Sequence, residues 1–415
     1  MSSVTSGTSE LDPNFRRSMK TKILGVRTRH VFTFNPNKAN PGEVIYIDTP
    51  KLRPDVCLVP DSLNLMFDFK NANDKSWFQN NLSKLLTKEL TVKMAGEVVF
   101  NNTGESIIEV YKDLWKTSKE RDNMIEYGIG SENLRKLISK DDTAASSGSE
   151  DKVSDALMFS VHGTKQRIKL GKILEDHGLY APYSMINNLQ YSITLPSASD
   201  IMKAQSGESV GGYSLENLEL EYETIENQEL ANRATEVYEN GKSLDFDHVT
   251  LMKTTEWDKD STLINESINL PRRSMKAVVL LFKSKTPSGS EEYVYPNIEG
   301  VKVTIEGVPN SVYSQGIPKS RLHEEAGRLF GRYHNCEKTV PIRSFYKDQF
   351  ACVVDLRTYE DSYAVGIGKR LVNTQSGVLL EIKKAVTTAN VMCKIFVISD
   401  GKLNIRDKSL EKIQY

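Results

Sequence analysis

Short runs of alternating apolar and polar residues, separated by turn-forming residues, dominate the chain. Because alternate side chains of a strand share one face, this alternation predicts strands. In residues 215–225, for example, Leu218, Leu220 and Tyr222 alternate with glutamates, which indicates one buried and one solvated face. The strands predicted in the first half are 30–34, 44–48, 63–69, 91–94, 97–100, 157–161, 189–195 and 215–225.

The spacing of apolar residues becomes helical in three places. Ile107, Ile108 and Tyr111 begin a predicted helical insertion at 105–140, and similar spacing predicts helices at 227–243 and 320–330. Residues 142–153 are a low-complexity stretch, which predicts an exposed loop.

A second series of strands follows residue 245, which indicates a second domain. Its members are 246–251, 275–282, 301–305, 350–356, 378–382 and 391–398. Many short strands with frequent turns are typical of an all-β sandwich or barrel, here with helical insertions. We therefore predict a flexible N-terminal arm at 1–22, a first β-rich domain at 23–226, a helical linker at 227–245 and a second β-rich domain at 246–415.

Composition agrees with two folded domains. The 415 residues include 54 Lys and Arg and 55 Asp and Glu, so the net charge of −1 gives no overall drive toward DNA or acidic membranes. The longest apolar run, 277–282, is far shorter than the ~20 residues that span a bilayer, and the N-terminus lacks the apolar segment of a secretory signal. We expect synthesis in a reducing compartment, with four buried, reduced cysteines: Cys57, Cys336, Cys352 and Cys393.

No segment of the sequence forms a complete catalytic or cofactor motif. Gly241-Lys242-Ser243 ends like a phosphate-binding loop, but Glu236 occupies the position of the first glycine, so we expect Gly241 to end a helix. The glycine pair in 366–370 predicts a β-turn. No GxSxG segment is present, and six histidines are few for an enzyme that uses general bases.

Metal and nucleic-acid binding also lack support. His323, His334 and Cys336 fit no standard zinc spacing. The basic clusters at 16–17, 165–172 and 272–273 lack interleaved aromatic residues, which favours solvated faces over a nucleic-acid platform. We therefore predict no catalytic residues, no cofactor-binding residues and no metal ligands, and a protein that is not an enzyme.

Several segments carry a resemblance to a known family. They are 270–282, 354–358 and 370–383 in the second half, and 105–111 and 213–225 in the first. Over most of residues 25–405, the chain resembles the major capsid (hexon-like) proteins of Polinton/Maverick-type elements and of the related adinto-like viruses.

The resemblance implies a fold and a function. The fold would be two tandem eight-stranded antiparallel jelly rolls. Three copies would form a pseudo-hexagonal capsomer within an icosahedral shell around double-stranded DNA. The partners would be neighbouring capsomers, penton and minor capsid proteins, and packaged DNA weakly contacted by the N-terminal arm. The protein would be made in the host cytoplasm and reside in the virion capsid.

Two alternatives stay open. A penton or minor capsid protein would combine one jelly roll with a domain of another type. A β-sandwich carbohydrate-binding or hydrolase domain would show a concave aromatic face, or a carboxylate pair ~5–10 Å apart. The small number of tryptophans, Trp77, Trp115 and Trp257, argues against a sugar platform.

Overall fold

The chain folds into two compact units. The first comprises Met1–Asn102, Met124–Phe246 and Lys402–Gln414, and the second comprises Thr103–Asn123 and Asp247–Gly401. The structure is a computed structural model that describes residues 25–414 except 74, 141–149, 172–179, 188, 240, 270–273, 286–288, 311–312, 314, 332–339, 358–368, 371–376 and 407–408.

The first twelve described strands of the chain belong to the first unit, and all of their pairings are antiparallel. They are β1 Val26–Thr33, β2 Val44–Asp48, β3 Val56–Leu58, β4 Asn64–Asn71, β5 Ser76–Phe78, β6 Glu89–Met94, β7 Glu97–Asn101, β8 Lys165–Lys169, β9 Ala181–Pro182, β10 Leu189–Thr194, β11 Met202–Ala204 and β12 Tyr213–Glu226. One sheet has the order β1-β12-β4-β8, with β3 also paired to β12 and β9 paired to β3, and the other has the order β2-β10-β6-β7.

The strands of the second unit repeat this order. They are β13 Lys242–Trp257, β14 Leu263–Ile268, β15 Ser274–Met275, β16 Ala277–Ser284, β17 Ile298–Ile305, β18 Val308–Pro309, β19 Ile317–Pro318, β20 Ala351–Asp355, β21 Lys369–Arg370, β22 Val378–Lys384 and β23 Val391–Arg406. A last strand, β24 Ser409–Gln414, pairs with the end of β23 and belongs to the first unit. The sheets have the orders β13-β23-β16-β20 and β14-β22-β17-β18, with β19 also beside β17.

Eight main strands of each unit can be numbered one to eight in chain order: β1, β2, β4, β6, β7, β8, β10 and β12 in the first, and β13, β14, β16, β17, β18 with β19, β20, β22 and β23 in the second. In both units, main strands one, eight, three and six form one sheet, and main strands two, seven, four and five form the other. The short strands β18 and β19 together take the fifth position of the second unit. An eight-stranded antiparallel sandwich with this order is a jelly roll. The predicted fold class, two tandem jelly rolls with helical insertions, is confirmed.

Each unit has its own core, built from the alternating inward side chains of its two sheets. In the first unit, Phe67 of β4 and Ile193 of β10 are fully buried in one cluster. In the second unit, Leu280 of β16 and Leu380 of β22 are likewise fully buried. The alternation in the sequence therefore marks the faces that meet inside each barrel.

Ten helices lie in the connections between strands among the described residues. They are α1 Leu82–Leu86, α2 Glu105–Asp113, α3 Ser118–Asp122, α4 Glu132–Lys140, α5 Glu150–His162, α6 Tyr183–Ile186, α7 Ala198–Ile201, α8 Gln228–Glu239, α9 Leu322–Phe330 and α10 Ile342–Phe345. Helices are therefore present within the predicted insertion at 105–140, in the predicted linker and near 320–330.

The strand predicted at 157–161 is wrong, because these residues form the last turns of α5. Leu157, Phe159 and Val161 alternate as in a strand. Only Phe159 is buried, however, whereas Leu157 and Val161 are exposed by 65% and 72%. Leu157 and Val161 are four residues apart and share the outer face of the helix. The first residues of α5 also replace part of the loop predicted at 142–153, whose other residues lie outside the described part of the chain.

Two segments lie in a different unit from the one expected on sequence order. Residues 103–123 precede the last strands of the first barrel but belong to the second unit, because Ile108 and Tyr111 are buried in the second core. Residues 402–414 belong to the first unit, because Leu403 and Ile405 are buried in the first core.

The helix in the predicted linker is α8, and it packs on the first unit. Leu230, Ala231 and Ala234 form a small buried cluster with Cys57 and Ile225. The linker region is therefore part of a folded barrel rather than an independent connector. The N-terminal arm predicted at 1–22 lies outside the described residues.

Candidate functional site

His323, one of the candidate metal ligands considered in the sequence, lies on α9 and has a structural partner. His323 is 6% exposed, and its Nε2 lies 2.8 Å from the carbonyl oxygen of Val340. His334 and Cys336, the other candidate ligands, lie outside the described residues. Within the part of the chain that the structure describes, no group of three His, Cys, Asp or Glu side chains could hold a metal ion.

The described cysteines have the properties of structural thiols. Cys57, Cys352 and Cys393 are all buried and free. Burial raises the pKa of Cys57 and of Cys352 to about 12, and it raises the pKa of Cys393 well above its ordinary value. Because the thiolate is the reactive form, these side chains are unsuited to nucleophilic catalysis or metal binding near neutral pH.

The glycine motif at 241–243 adopts no phosphate-binding geometry. α8 ends at Glu239, Gly241 has a φ of +90°, and β13 begins at Lys242. The segment therefore runs from a helix into a strand, the reverse of a phosphate-binding loop. The glycine pair at 366–368 lies outside the described residues.

Two neighbouring acidic residues, Glu325 and Asp355, lie in the second unit. Tyr313 Oη contacts Glu325 Oε2 at 2.8 Å, and Arg357 forms two hydrogen bonds to the Asp355 carboxylate from its Nε. Burial raises the pKa of Glu325, and the phenol of Tyr313 opposes this effect. Because the side chain of Glu325 is only 3% exposed, the pair lacks the open access to substrate and water that a hydrolase requires.

The three tryptophans offer no open face for a sugar ring. Trp77 and Trp115 are each 6% exposed, and Trp257 is 2% exposed. Trp257 Nε1 donates a hydrogen bond to Glu266 Oε1 at 3.0 Å, inside the second barrel. These positions do not favour the carbohydrate-platform alternative.

The most elaborate parts of each unit are the connections that gather at one end of its barrel. In the first unit, Asn71 at the end of β4 pairs with Tyr213 at the start of β12, and Thr194 at the end of β10 pairs with Glu89 at the start of β6. The connections after β4, β7 and β10 therefore leave from one end. We call this the loop end of the first barrel.

The loop end of the first barrel holds a cluster that sequence analysis missed. Lys75, Lys136, Lys140 and Lys203 line one cleft around Trp77. These lysines come from three different connections, so no local basic run reveals them. The basic run expected at 165–172 as a solvated face begins with β8, where Lys165 and Lys169 are exposed while Gln166 and Ile168 are buried.

An aromatic cluster lies at the corresponding end of the second unit. The Trp115 ring, just after α2, lies 5.6 Å from the ring of His323 and 6.4 Å from that of Phe345. Arg121 of α3 holds Glu291 through hydrogen bonds of 2.8 and 3.0 Å. A segment whose neighbours in sequence are strands of the first barrel thus completes the loops of the second.

The most exposed apolar side chains on the strands of the first unit lie on β1 and β2. On β1 they are Val26, Val31 and Phe32, exposed by 56–63%, and on β2 Tyr46 is 74% exposed. Single exposed apolar residues are common on protein surfaces.

Among the described residues, no helix combines the length and apolar character that a bilayer crossing requires.

Comparison with solved structures identifies similar folds over almost the whole chain. The PBCV-1 virus capsid protein matches with a TM-score of 0.56 at 9% identity, covering 95% of this chain and 98% of that one. The Faustovirus major capsid protein matches with a TM-score of 0.54 at 7% identity, covering 94% of each. The mavirus major capsid protein matches with a TM-score of 0.52 at 11% identity, covering 94% of this chain and 90% of that one.

Neither a protein-family profile nor a curated protein sequence matches the chain. The similarity to the three capsid proteins is therefore one of fold.

Proposed function

We propose that this protein is the major capsid protein of an icosahedral double-stranded DNA virus or virus-like transposon. The observation that carries the proposal is the repetition of one strand order in two successive barrels of the same chain. The structural similarity to capsid proteins extends over 94–95% of the chain, so it includes both barrels. A single jelly roll joined to another domain, as the penton alternative requires, does not describe this chain.

The tandem barrels suit a trimeric capsomer. Three copies supply six similar walls, which can tile hexagonally around a threefold axis. In such a ring each subunit presents one surface to the next subunit and a different surface to the previous one, so the assembly closes without open ends. Such a role needs rigid cores and no active site, in agreement with the buried histidine, thiols and carboxylates described above.

The finer assignments of the proposal rest on the sequence resemblance. We assign the chain to the Polinton/Maverick and adinto-like group because the segments at 270–282 and 370–383 resemble that group. The partners would be neighbouring capsomers together with penton and minor capsid proteins. The protein would be made in the host cytoplasm and reside in the virion.

The decisive experiment is native mass spectrometry of the purified protein combined with negative-stain imaging. We expect particles of about 140 kDa, three times the 46.7 kDa chain, with a hexagonal outline. A monomer at micromolar concentration that binds a small sugar would contradict the proposal and support the carbohydrate-binding alternative.

The N-terminal arm is the part of the chain proposed to contact packaged DNA. Its basic residues are Arg16, Arg17, Lys20 and Lys22. Deletion of residues 1–22 should reduce the nucleic acid that copurifies with assembled particles, because phosphate contacts by Lys and Arg dominate non-specific DNA binding. Unchanged nucleic-acid content in particles lacking the arm would remove this assignment while leaving the capsid proposal intact.

A further inference from the structure

The lysine cleft at the loop end of the first barrel has the form of a ligand site. β5 and β11 pair with Trp77 opposite Lys203, and α4 packs against β5. The cleft between them has a volume of about 420 Å³, within the range of roughly 300–1,000 Å³ that small-ligand pockets occupy. Its lining residues are Lys75, Trp77, Glu132, Lys136, Lys140, Lys203, Ala204, Gln205 and Ser206.

Positive charge dominates this lining. Four lysines face one carboxylate, Glu132, whose Oε1 lies 2.7 Å from Lys136 Nζ and whose Oε2 lies 4.0 Å from Lys203 Nζ. Lys75 is paired with Glu208, which is not among the lining residues. A cleft lined by charges of one sign concentrates its electric potential and attracts ions of opposite sign. This local excess contrasts with the near-neutral charge of the whole chain.

The positions of the lysines are partly fixed before any ligand arrives. Lys136 Nζ lies 4.1 Å from the centre of the Trp77 ring, a cation–π contact, while it also binds Glu132. Glu132, Lys136 and Lys140 are spaced four residues apart on α4 and therefore share one face of the helix. The ammonium groups thus converge from a helix and a strand on the same cleft.

We propose that this cleft binds a sulfated oligosaccharide, with the four lysines contacting sulfate groups. Lysine carries a compact charge on a flexible stem, which suits sulfate esters at varied positions along a sugar chain. The amide of Gln205 and the hydroxyl of Ser206 can hydrogen-bond sugar hydroxyls. Trp77 is 6% exposed and lies beneath Lys136, so the cleft lacks the open aromatic face on which nucleic-acid bases stack.

The test compares two double variants with equal charge change. Lys140→Glu with Lys203→Glu alters the cleft and spares the Lys136–Trp77 contact. Lys93→Glu with Lys169→Glu alters two exposed lysines on strands β6 and β8 of the same barrel. Binding of a heparin-derived octasaccharide, and of single-stranded oligothymidylate as competitor, is measured by titration calorimetry at two salt concentrations on the full chain.

We expect the cleft variant to bind the octasaccharide about tenfold or more weakly, with a shallower salt dependence, and the control variant to bind within about twofold of the parent protein. Equal losses in both variants, or no binding by the parent protein, would overturn the proposal. Stronger binding of oligothymidylate than of the octasaccharide would assign the cleft to nucleic acid instead. Native mass is recorded for every variant, so a failure of capsomer assembly is distinguished from a failure of this site.

Discussion

The phenol of Tyr111 donates a hydrogen bond of 3.0 Å from its Oη to the main-chain carbonyl oxygen of Gln349. The Tyr111 ring is fully buried and lies edge-on to the rings of Tyr293, at 5.2 Å, and Phe330, at 5.0 Å. Tyr111 lies on α2, in the connection between β7 and β8 of the first barrel. The contact therefore joins a segment of the first half of the sequence to the core of the second unit.

Loss of the Tyr111 ring should destabilise the protein far more than loss of its hydroxyl. Tyr111→Phe should lower the free energy of unfolding by about 1 kcal/mol through the lost hydrogen bond, and Tyr111→Ala by about 3–5 kcal/mol through the cavity. Tyr46→Phe, at a 74% exposed position, is the control and should change it by less than about 0.5 kcal/mol. Urea denaturation measures all three. Equal stability of Tyr111→Ala and the control would show that α2 is not docked.

The exchange of segments between the units predicts crossed effects of mutation. Ile108→Ala should loosen the second unit, because Ile108 is buried in the second core. Leu403→Ala should loosen the first unit, because Leu403 is 1% exposed in the first core. Each substitution should lower the free energy of unfolding by about 2–5 kcal/mol. Hydrogen exchange followed by mass spectrometry should show faster exchange in β16 for the first variant and in β4 for the second. The reverse assignment would contradict the division of the chain.

Two glycines with positive φ should respond differently to alanine. Gly128 has a φ of +72°, and a Cβ there would lie 2.4 Å from Leu82 Cβ. Gly96 has a φ of +87° but no atom within 4 Å of such a Cβ. Gly96→Ala should lower the free energy of unfolding by about 1 kcal/mol through backbone strain alone. Gly128→Ala should lower it by about 1–3 kcal/mol more, because the contact with Leu82 adds steric overlap. Chemical denaturation of both variants checks the difference, and similar losses would disprove the steric part.

The ammonium of Lys283 predicts a pH-dependent stability. Its Nζ donates to the carbonyl oxygens of Gly289 at 2.7 Å and Ser290 at 3.0 Å. Burial, reinforced by Lys394, lowers the pKa of Lys283 to about 7. An unfolded lysine keeps its proton up to about pH 10, so between pH 7 and 10 the unfolded chain binds more protons and the folded state gains stability as pH rises.

The measurement is the difference in unfolding free energy between the parent protein and Lys283→Met. The free energy of unfolding of the parent protein minus that of the variant should increase by on the order of 3 kcal/mol from about pH 7 to about pH 10. Lys302→Met, at an exposed position on β17, is the control and should leave the difference constant. A difference for Lys283→Met that stays flat or shrinks with rising pH would refute the buried-lysine interpretation.

Strands were predictable where apolar side chains occupy every inward position. β4 alternates throughout and β12 alternates on either side of a bulge at Asn217, and both strands were predicted. β8 and β14 were missed because polar residues point inward: Gln166 is 1% exposed and Glu266 is 3% exposed. Glu266 is accommodated there by Lys253 Nζ at 2.7 Å and by the indole of Trp257. Both strands are needed to complete the eight-strand order, so the pattern alone shows β-rich halves without their topology.

The lysine cleft was beyond sequence analysis for a related reason. Lys75, Lys136 and Lys203 are separated by about sixty residues or more along the chain. Each resembles an ordinary surface lysine in its own segment. Only the pairing of β5 with β11 and the packing of α4 against β5 bring them to one cleft.

Local sequence patterns were sufficient to predict the class of the protein: two β-rich halves with helical insertions, buried thiols and no complete catalytic motif. These properties follow from local periodicity and residue type, which act over a few residues. Tertiary structure alone decided which segment belongs to which core, so that Tyr111 lies in the second unit and Leu403 in the first. The hydrophobic effect is non-directional, so burial in a core stabilises any apolar segment that can reach that core, whatever its position in the chain.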